Sequence, residues 1–344
     1  MGFQVVLRPS GHSYDVPAGT TVLDAGLASG LNMPYSCRAG NCKTCRGKIV
    51  QGTVDYGNAH GSYLTEEQKQ KGFALLCKAK PLSDIEVEVE ELVLARVKPR
   101  LMPARVKRIR KPAPDVAILD LRLPMNENLM FAPGQFIDVQ LAGGKTRSYS
   151  IASAPSAEGV IDIELHIRHM PGGLFTDKVF FSLREGELIR LNAPLGTFYL
   201  REESAKPLVL IATGTGIAPI LSMLRYAVRR KIGRPIRLYW GGRRPADLYM
   251  DEEVRSLAIQ LDFAYVPVLS QPQPEDGWTG FTGYVQHAVM RDVPDLSGHQ
   301  VYACGSPRMV EAASNDFVSA AGLPQEEFFS DAFLSAADMA LNEA

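Results

Sequence analysis

Cys37-Arg38-Ala39-Gly40-Asn41-Cys42-Lys43-Thr44-Cys45, followed far downstream by Cys77, reads as C-x4-C-x2-C with a distant fourth cysteine. Four thiolates in this spacing are the ligand set of a [2Fe–2S] cluster, two sulfurs to each iron. The intervening residues suit that task. Ala39, Gly40 and Thr44 are small, and Gly40 tolerates φ > 0, so the loop can wrap closely and aim N–H groups at anionic sulfides. A structural zinc site more usually pairs two short C-x2-4-C or H-x3-5-H knuckles, and Cys77 has no second ligand beside it. Incidental buried thiols are the remaining reading. Three of only five cysteines fall within nine positions, which favours the cluster.

At 344 residues the chain has length for two or three domains, each with its own core. Its 46% hydrophobic and 22% charged residues fit a globular class. A net charge of −1 argues against nucleic-acid binding. The one basic run, Arg96 to Lys111, holds eight Lys and Arg but no aromatic residue to stack on a base. It reads as a solvated linker and first strand, with an acidic partner as the alternative. Met1 leads straight into the alternating Phe3-Gln4-Val5-Val6-Leu7, with no charged and apolar leader, so no signal peptide is expected. No apolar run approaches the roughly 20 residues of a membrane helix. The expectation is a cytoplasmic monomer that engages neither nucleic acid nor membrane.

Residues 1–92 read as a small α+β unit. Strands at Phe3–Leu7 and Tyr14–Val16 are joined by the turn Ser10-Gly11. Thr20 or Thr21 can cap a helix through Val22, Leu23, Ala25 and Leu27 that Gly30 stops. Lys48–Val54 reads as a strand, Leu64-Thr65-Glu66-Glu67 as a capped short helix, and Ile85–Val89 as a final edge strand. His60, in a Gly/Asn-rich loop, reads as a surface residue. Residues 93–103, with Pro99 and Pro103 among basic residues, read as a linker.

Over 104–203, short alternating segments recur between Pro and Gly, namely Ala117–Leu123, Phe136–Leu141, Ile161–Arg168 and Glu187–Leu191. That spacing predicts an antiparallel β-barrel. It carries Arg147-Ser148-Tyr149-Ser150, then His166-Ile167-Arg168 and Gly172-Gly173-Leu174-Phe175-Thr176. An Arg fork pairs with a diphosphate, a Tyr packs on a flat ring, and a Gly-Gly turn before a capping Thr offers N–H groups to an anion. Gly143-Gly144-Lys145-Thr146 ends like a P-loop, but Val139 stands where that motif needs glycine, so a hairpin turn is expected.

Over 204–335, strands alternate with helices, the signature of a parallel sheet. The apolar strand Leu208–Ala212 runs into Thr213-Gly214-Thr215-Gly216-Ile217-Ala218-Pro219, and a helix follows with Ile220, Leu221, Leu224 and Val228 at helical spacing. Bare backbone at such a turn lets a dinucleotide pyrophosphate approach. Pro219 stands where the Rossmann fingerprint has its third glycine, and proline suits a first helical turn. A second strand, Ile236–Trp240, ends in Gly241-Gly242-Arg243-Arg244-Pro245-Ala246-Asp247-Leu248-Tyr249. There Asp247 could accept from both ribose hydroxyls, favouring NADH, whereas Arg243 or Arg244 could pair with a 2′-phosphate, favouring NADPH. NADH is the expectation. Val301-Tyr302-Ala303-Cys304-Gly305-Ser306-Pro307 is a strand ending in a sharp turn, and Cys304 also reads as a buried small hydrophobe.

In this order the segments resemble the NADH-dependent iron–sulfur flavoprotein reductases of the ferredoxin–NADP reductase superfamily. The resemblance covers almost the whole chain: a β-grasp plant-type ferredoxin domain, a flavin barrel and a nicotinamide domain ending at 335, with a tail at 336–344. It implies Cys37 and Cys42 on the inner iron, with Cys45 and Cys77 on the other. It implies FAD contacts from Arg147, Tyr149 and Ser150, with the Ser150 hydroxyl near flavin N5, and a pyrophosphate held by Gly172, Gly173 and Thr176. His166, Arg168 and Leu174 join that cofactor-binding set. Gly214, Thr215, Gly216, Pro219, Arg243, Asp247 and Tyr249 fall to the nicotinamide nucleotide. Cys304 and Gly305 would lie against the nicotinamide, with Asp331 and Phe333 beside the flavin, so Ser150, Cys304 and Asp331 form the expected catalytic set. Phe328-Phe329-Ser330-Asp331-Ala332-Phe333 and Trp278-Thr279-Gly280-Phe281-Thr282-Gly283 also resemble the CDP-6-deoxy-3,4-glucoseen reductases. The implied activity is hydride transfer from NADH to FAD and single-electron export through the cluster to an oxygenase component or a deoxysugar dehydratase. A free flavin reductase and a non-enzymatic redox adaptor are the alternatives. The cluster-loop surface around Arg38, Asn41 and Lys43 is the expected docking place for the acceptor.

Overall fold

Val5 and Leu7 are buried while Gln4 and Arg8 face solvent, the period of a strand covered on one side. The computed structural model describes residues 2–40, 42–61, 63–92 and 97–333. Asn41, part of the linker and the 336–344 tail lie outside the described residues. The chain divides into two compact units, Pro99–Asp331 forming one and the residues up to Lys98, with those from Ala332, the other.

The first unit contains β1 (Gly2–Arg8), β2 (Ser13–Pro17), β3 (Arg46–Gln51), β4 (Val54–Asp55), β5 (Phe73–Leu75), β6 (Lys80–Pro81) and β7 (Ile85–Glu88). Five of these form one sheet in the order β2-β1-β7-β3-β5, with β4 and β6 paired apart. Helix α1 (Val22–Ala28) is capped by Thr21, whose hydroxyl accepts from the Asp24 N–H at 3.1 Å. Helix α2 (Glu66–Gln70) starts in a capping box between Thr65 and Gln68. Two expectations need correction. The Ile85 strand is central rather than an edge, because it pairs in parallel with β1 and antiparallel with β3, burying Ile85 and Val87. The strand expected over Lys48–Val54 breaks at Gly52, whose φ of +86° and closeness to the Asp84 carbonyl leave no room for a side chain.

In the second unit, β8 (Arg100–Ala113), β9 (Val116–Arg122), β10 (Phe136–Gln140), β11 (Thr146–Ser150), β12 (Asp162–Arg168) and β13 (Leu188–Leu195) run in the order β11-β10-β13-β8-β9-β12. Neighbouring strands pair antiparallel, and a bridge between Ile151 and Leu165 joins the two outer strands into a barrel. Val106, Leu119, Ile137, Ile163 and Leu191 fill it. Burying each such side chain stabilises the fold by about 1.5–3 kcal/mol. The linker is shorter than expected, since β8 already begins at Arg100. Gly143 and Gly144, at φ near +70°, form the expected hairpin turn.

The same unit continues with β14 (Leu208–Thr213), β15 (Ile236–Gly242), β16 (Ala264–Leu269), β17 (Phe281–Thr282), β18 (Gln300–Gly305) and β19 (Phe328–Ala332), ordered β17-β16-β15-β14-β18-β19. The register is parallel from β17 through β18. Helices α3 (Ile217–Arg230), α4 (Asp251–Leu261), α5 (Val285–Asp292) and α6 (Pro307–Ala320) connect the strands. The chain leaves β14 on one side towards β17 and on the other towards β19. That reversal places a ligand crevice at the carboxyl end of β14.

Barrel and parallel sheet form one unit because buried polar bonds stitch them together. Ser222 donates to the Ser153 carbonyl at 2.7 Å, and Arg225 donates to the Ala152 carbonyl and to Glu164, both at 2.8 Å.

Candidate functional site

In the cysteine loop, Arg38 (φ 52°) and Gly40 (φ 81°) adopt left-handed backbone, which curls the chain back on itself. Cys42, Cys45 and Cys77 are buried and Cys37 is half-buried. The sulfurs meet as two pairs, Cys37 with Cys42 and Cys45 with Cys77. Cys37 and Cys45 are pushed up, first by the bond to the partner sulfur and then by burial. The same bonds hold Cys42 down at about 6 and Cys77 below its ordinary value. Backbone donors are aimed at the sulfurs: Ala39 N–H at Cys37 (3.4 Å), Thr44 at Cys42 and Gly40 at Cys77. Among the described residues, no three His, Cys, Asp or Glu converge as ligands of one ion. Two facing thiol pairs ringed by N–H donors are a donor set suited to two irons.

On the barrel, Tyr149 packs its ring against Phe175 at 5.4 Å, and burial pushes its phenol up. Neither its hydroxyl nor that of the buried Ser150 makes a side-chain hydrogen bond among the described residues. Arg147 donates only to its neighbour's carbonyl, Thr146 O, at 2.7 Å. Polar atoms left open on an outer strand fit a bound flavin. The glycine turn behaves differently from expectation. The Gly172 N–H is bonded to Asp177 Oδ2 (3.1 Å) and the Gly173 N–H to the Met170 carbonyl (2.8 Å). The Thr176 hydroxyl turns back to donate to that same carbonyl at 2.9 Å. These groups close the loop on itself instead of standing free for a phosphate. Leu174 is half exposed beside them.

At the end of β14, Gly214, Thr215 and Gly216 form one 3-10 turn leading into α3, with Pro219 in its first helical turn. A Cβ at Gly216 would run into the Cys304 carbonyl, and one at Gly305 (φ 129°) into Thr213. The two turns therefore make a tight, side-chain-free cradle, closed by the Thr213 hydroxyl accepting from the Ser306 N–H at 2.9 Å. Cys304 is fully buried and its thiol is pushed up, by burial and then by the charge of the buried Asp331. Phe333 follows β19, half-buried.

Asp247 is held within its own turn. Its Oδ2 accepts from the Arg243 and Arg244 N–H groups at 2.7 and 3.1 Å, capping the short helical turn after β15. Its Oδ1 lies 3.6 Å from Arg168. Arg244 is committed to Asp276 in a two-pronged bond (2.6 and 2.8 Å) and to Glu275, while Arg243 stays exposed.

The 2Fe-2S iron-sulfur cluster binding domain family matches residues 5–82 of this chain. The oxidoreductase FAD-binding domain matches 103–199, and the oxidoreductase NAD-binding domain 210–315. The CDP-6-deoxy-L-threo-D-glycero-4-hexulose-3-dehydrase reductase of Yersinia pseudotuberculosis is 39% identical over 335 residues, spanning 97% of this chain and 99% of that one. The chain belongs to the iron–sulfur flavoprotein reductases of the ferredoxin–NADP reductase superfamily. The naphthalene 1,2-dioxygenase reductase component of Pseudomonas putida is 33% identical over 334 residues, 96% of this chain and 98% of that one. The crystal structure of an Amycolatopsis cytochrome P450 reductase superposes with a TM-score of 0.77 at 34% identity, over 97% of this chain and 99% of that one. Like other reductases of this family, the chain is an oxidoreductase with domains for [2Fe–2S], FAD and NAD. Among the described residues, no helix is long and apolar enough to cross a membrane.

Sequence reasoning missed how this reductase ties its barrel to its nucleotide turn. His166 is buried, with Nε2 2.9 Å from Glu164 and Nδ1 2.8 Å from the Tyr249 hydroxyl. A carboxylate only accepts, so Nε2 carries the proton and Nδ1 accepts from Tyr249. Tyr249 meets Trp240 edge-on at 5.5 Å, and the Trp240 Nε1–H donates to the Gly214 carbonyl at 3.1 Å. His166 and Tyr249 thus bind each other and reach the glycine turn indirectly. Arg168 crowds the Gly214 Cα hydrogens directly, since a Cβ there would lie 2.7 Å from its Nη1. Tyr249→Phe leaves Nδ1 buried without a donor and is expected to cost about 1–3 kcal/mol. In a unit of this size each kcal/mol lowers Tm by about 2–4 °C, which differential scanning calorimetry checks.

The same network sets an acid limit. Burial lowers the His166 pKa below its usual 6.5, although Glu164 pulls the other way. Below about pH 6.5 the unfolded chain gains a proton that the folded chain refuses, so stability falls as pH falls. Burial would raise Glu164, but the bonds from His166 and Arg225 outweigh it and hold the carboxyl well below 4.5. Its contribution is full above pH 4.5 and is lost below. Tm should therefore decline in two stages on acidification, and His166→Gln should flatten the upper one. A Tm unchanged between pH 7.5 and 5 would refute this.

Proposed function

We propose that this reductase takes hydride from NADH and exports single electrons to a partner protein, either an oxygenase component or a deoxysugar dehydratase. The reading is carried by one observation: paired thiols in the cysteine loop, open hydroxyls on the barrel and a bare glycine turn at the end of β14 occur in one chain. Bound flavin converts a two-electron hydride into single electrons, and a plant-type cluster near about −400 mV passes them on singly. The protein's own work is placement. Residues 1–92 hold the cluster through Cys37, Cys42, Cys45 and Cys77, residues 104–203 the flavin, and 204–335 the nucleotide. Gly214, Thr215 and Gly216 bring bare backbone to the pyrophosphate. Arg147 meets the flavin diphosphate, Tyr149 packs on the flavin, and the Ser150 hydroxyl offers a hydrogen bond at N5. Cys304, Gly305 and Asp331 line the nicotinamide side and exclude water there. The dehydratase reading of the partner draws on the relative from Yersinia, and the oxygenase reading on the one from Pseudomonas.

The preference for NADH now rests on Arg244 rather than Asp247. With Arg244 held by Asp276 and Glu275, only Arg243 remains to meet a 2′-phosphate, and one exposed guanidinium is a weak anion site. NADH-driven ferricyanide reduction should exceed the NADPH-driven rate at least about tenfold in kcat/KM. Equal values would refute the preference. Flavin that stays bound through gel filtration, together with reduction of cytochrome c, supports electron export. Release of reduced flavin would favour a free flavin reductase.

Docking at the cluster loop is also proposed, with one revision. Arg38 is paired with Asp24 at 2.5 Å, so its charge is partly compensated.

A further inference from the structure

We propose that Lys78 is the electrostatic tuning residue of the cluster, raising its reduction potential. This rests on the cluster reading above. Lys78 directly follows the fourth ligand, and its side chain lies across the cysteine loop: a Cβ at Gly40 would stand 3.0 Å from Lys78 Cγ and 3.1 Å from Cε. Gly40, at φ 81°, lets the lysine stem settle onto the loop, and Gly57 makes the same allowance for the Lys78 carbonyl, 2.8 Å from where its Cβ would be. The stem lies over the loop as far as Cε, and the residue is half-buried.

Two other cations of the loop are differently engaged. Arg38 is paired with Asp24, and Arg46 lies 5.1 Å over the Phe73 ring. Among the described residues Lys78 forms no ion pair, so no carboxylate cancels its charge. A cluster with four thiolates carries two negative charges when oxidised and three after taking one electron from the flavin, with no proton moved. A fixed positive charge beside Cys77 stabilises the more negative state, and partial burial limits screening by salt.

The test is a redox titration of the holoenzyme, reading the cluster by EPR and the flavin by absorbance. Lys78→Met and Lys78→Gln keep a stem over Gly40 and remove the charge; Lys78→Arg keeps the charge. Both neutral variants should shift the cluster's reduction equilibrium about tenfold towards the oxidised form, about 59 mV for one electron, with the flavin potential unchanged and Lys78→Arg close to wild type. Neutral variants with an unshifted cluster potential, or an arginine variant shifted as far as they are, would overturn the proposal. A wild-type protein with no [2Fe–2S] signal would instead overturn the cluster reading beneath it.

Discussion

Replacing Cys45 by serine is expected to abolish the cluster signal and NADH-driven cytochrome c reduction, while leaving NADH-driven ferricyanide reduction near the wild-type rate. Cys45 is fully enclosed, and its sulfur is bonded to that of Cys77, with Cys42 and Cys37 close by. Serine presents a harder, far less acidic donor, and iron–sulfur clusters are held by thiolates. Loss of one ligand leaves an iron with an open position in a buried loop. The flavin and nucleotide sites belong to the other unit and keep their own cores, so hydride acceptance should persist. Cytochrome c takes electrons one at a time from an exposed carrier, whereas ferricyanide can take them from the flavin. A variant that keeps a normal cluster would show that the ligand set is wrong. One that loses both activities would show that the two units do not function independently.

The second large effect is expected at Gly216. A methyl there collides with the Cys304 carbonyl and comes within 2.8 Å of Gly305 Cα, and both are backbone atoms held by parallel pairing of β18 with β14. Neither can yield as a flexible side chain would. Gly216→Ala should therefore force the two turns apart, at an overpacking cost of about 1–3 kcal/mol. The proposed nucleotide cradle is these two turns, so KM for NADH should rise at least about tenfold while dithionite still reduces the cluster. Gly233→Ala is the matched control. It has nothing within 4 Å of its Cβ and should behave as wild type. A Gly216→Ala enzyme with KM within twofold of wild type would mean that the nucleotide does not use this cradle.

Features carried by local chemistry were legible in the sequence. The Thr65 cap, the barrel strands and the strand–turn–helix at Gly214 are written in short stretches of sequence, and each stands where it was read; of Thr20 and Thr21, it is Thr21 that caps the first helix. Features set by a particular pairing or hydrogen bond, near or far, were not. Ile85–Glu88 alternates as an edge strand does, and only pairing with β1, some 80 residues earlier, makes it central. Asp247 has the chemistry of a ribose reader, but two N–H groups of its own turn claim it. Gly172 and Gly173 have the flexibility of an anion loop, yet Asp177 and Met170 take their N–H groups. The His166–Tyr249 bond joins residues 83 apart, and no pattern at either end announces it.

The central claim is that one chain carries hydride-derived electrons to an iron–sulfur cluster. Anaerobic titration with NADH, followed by optical and EPR spectroscopy, tests it most directly. Flavin bleaching together with a rhombic [2Fe–2S] signal that grows with added NADH is the predicted result. Bleached flavin with an EPR-silent, still oxidised cluster that dithionite then reduces would contradict it.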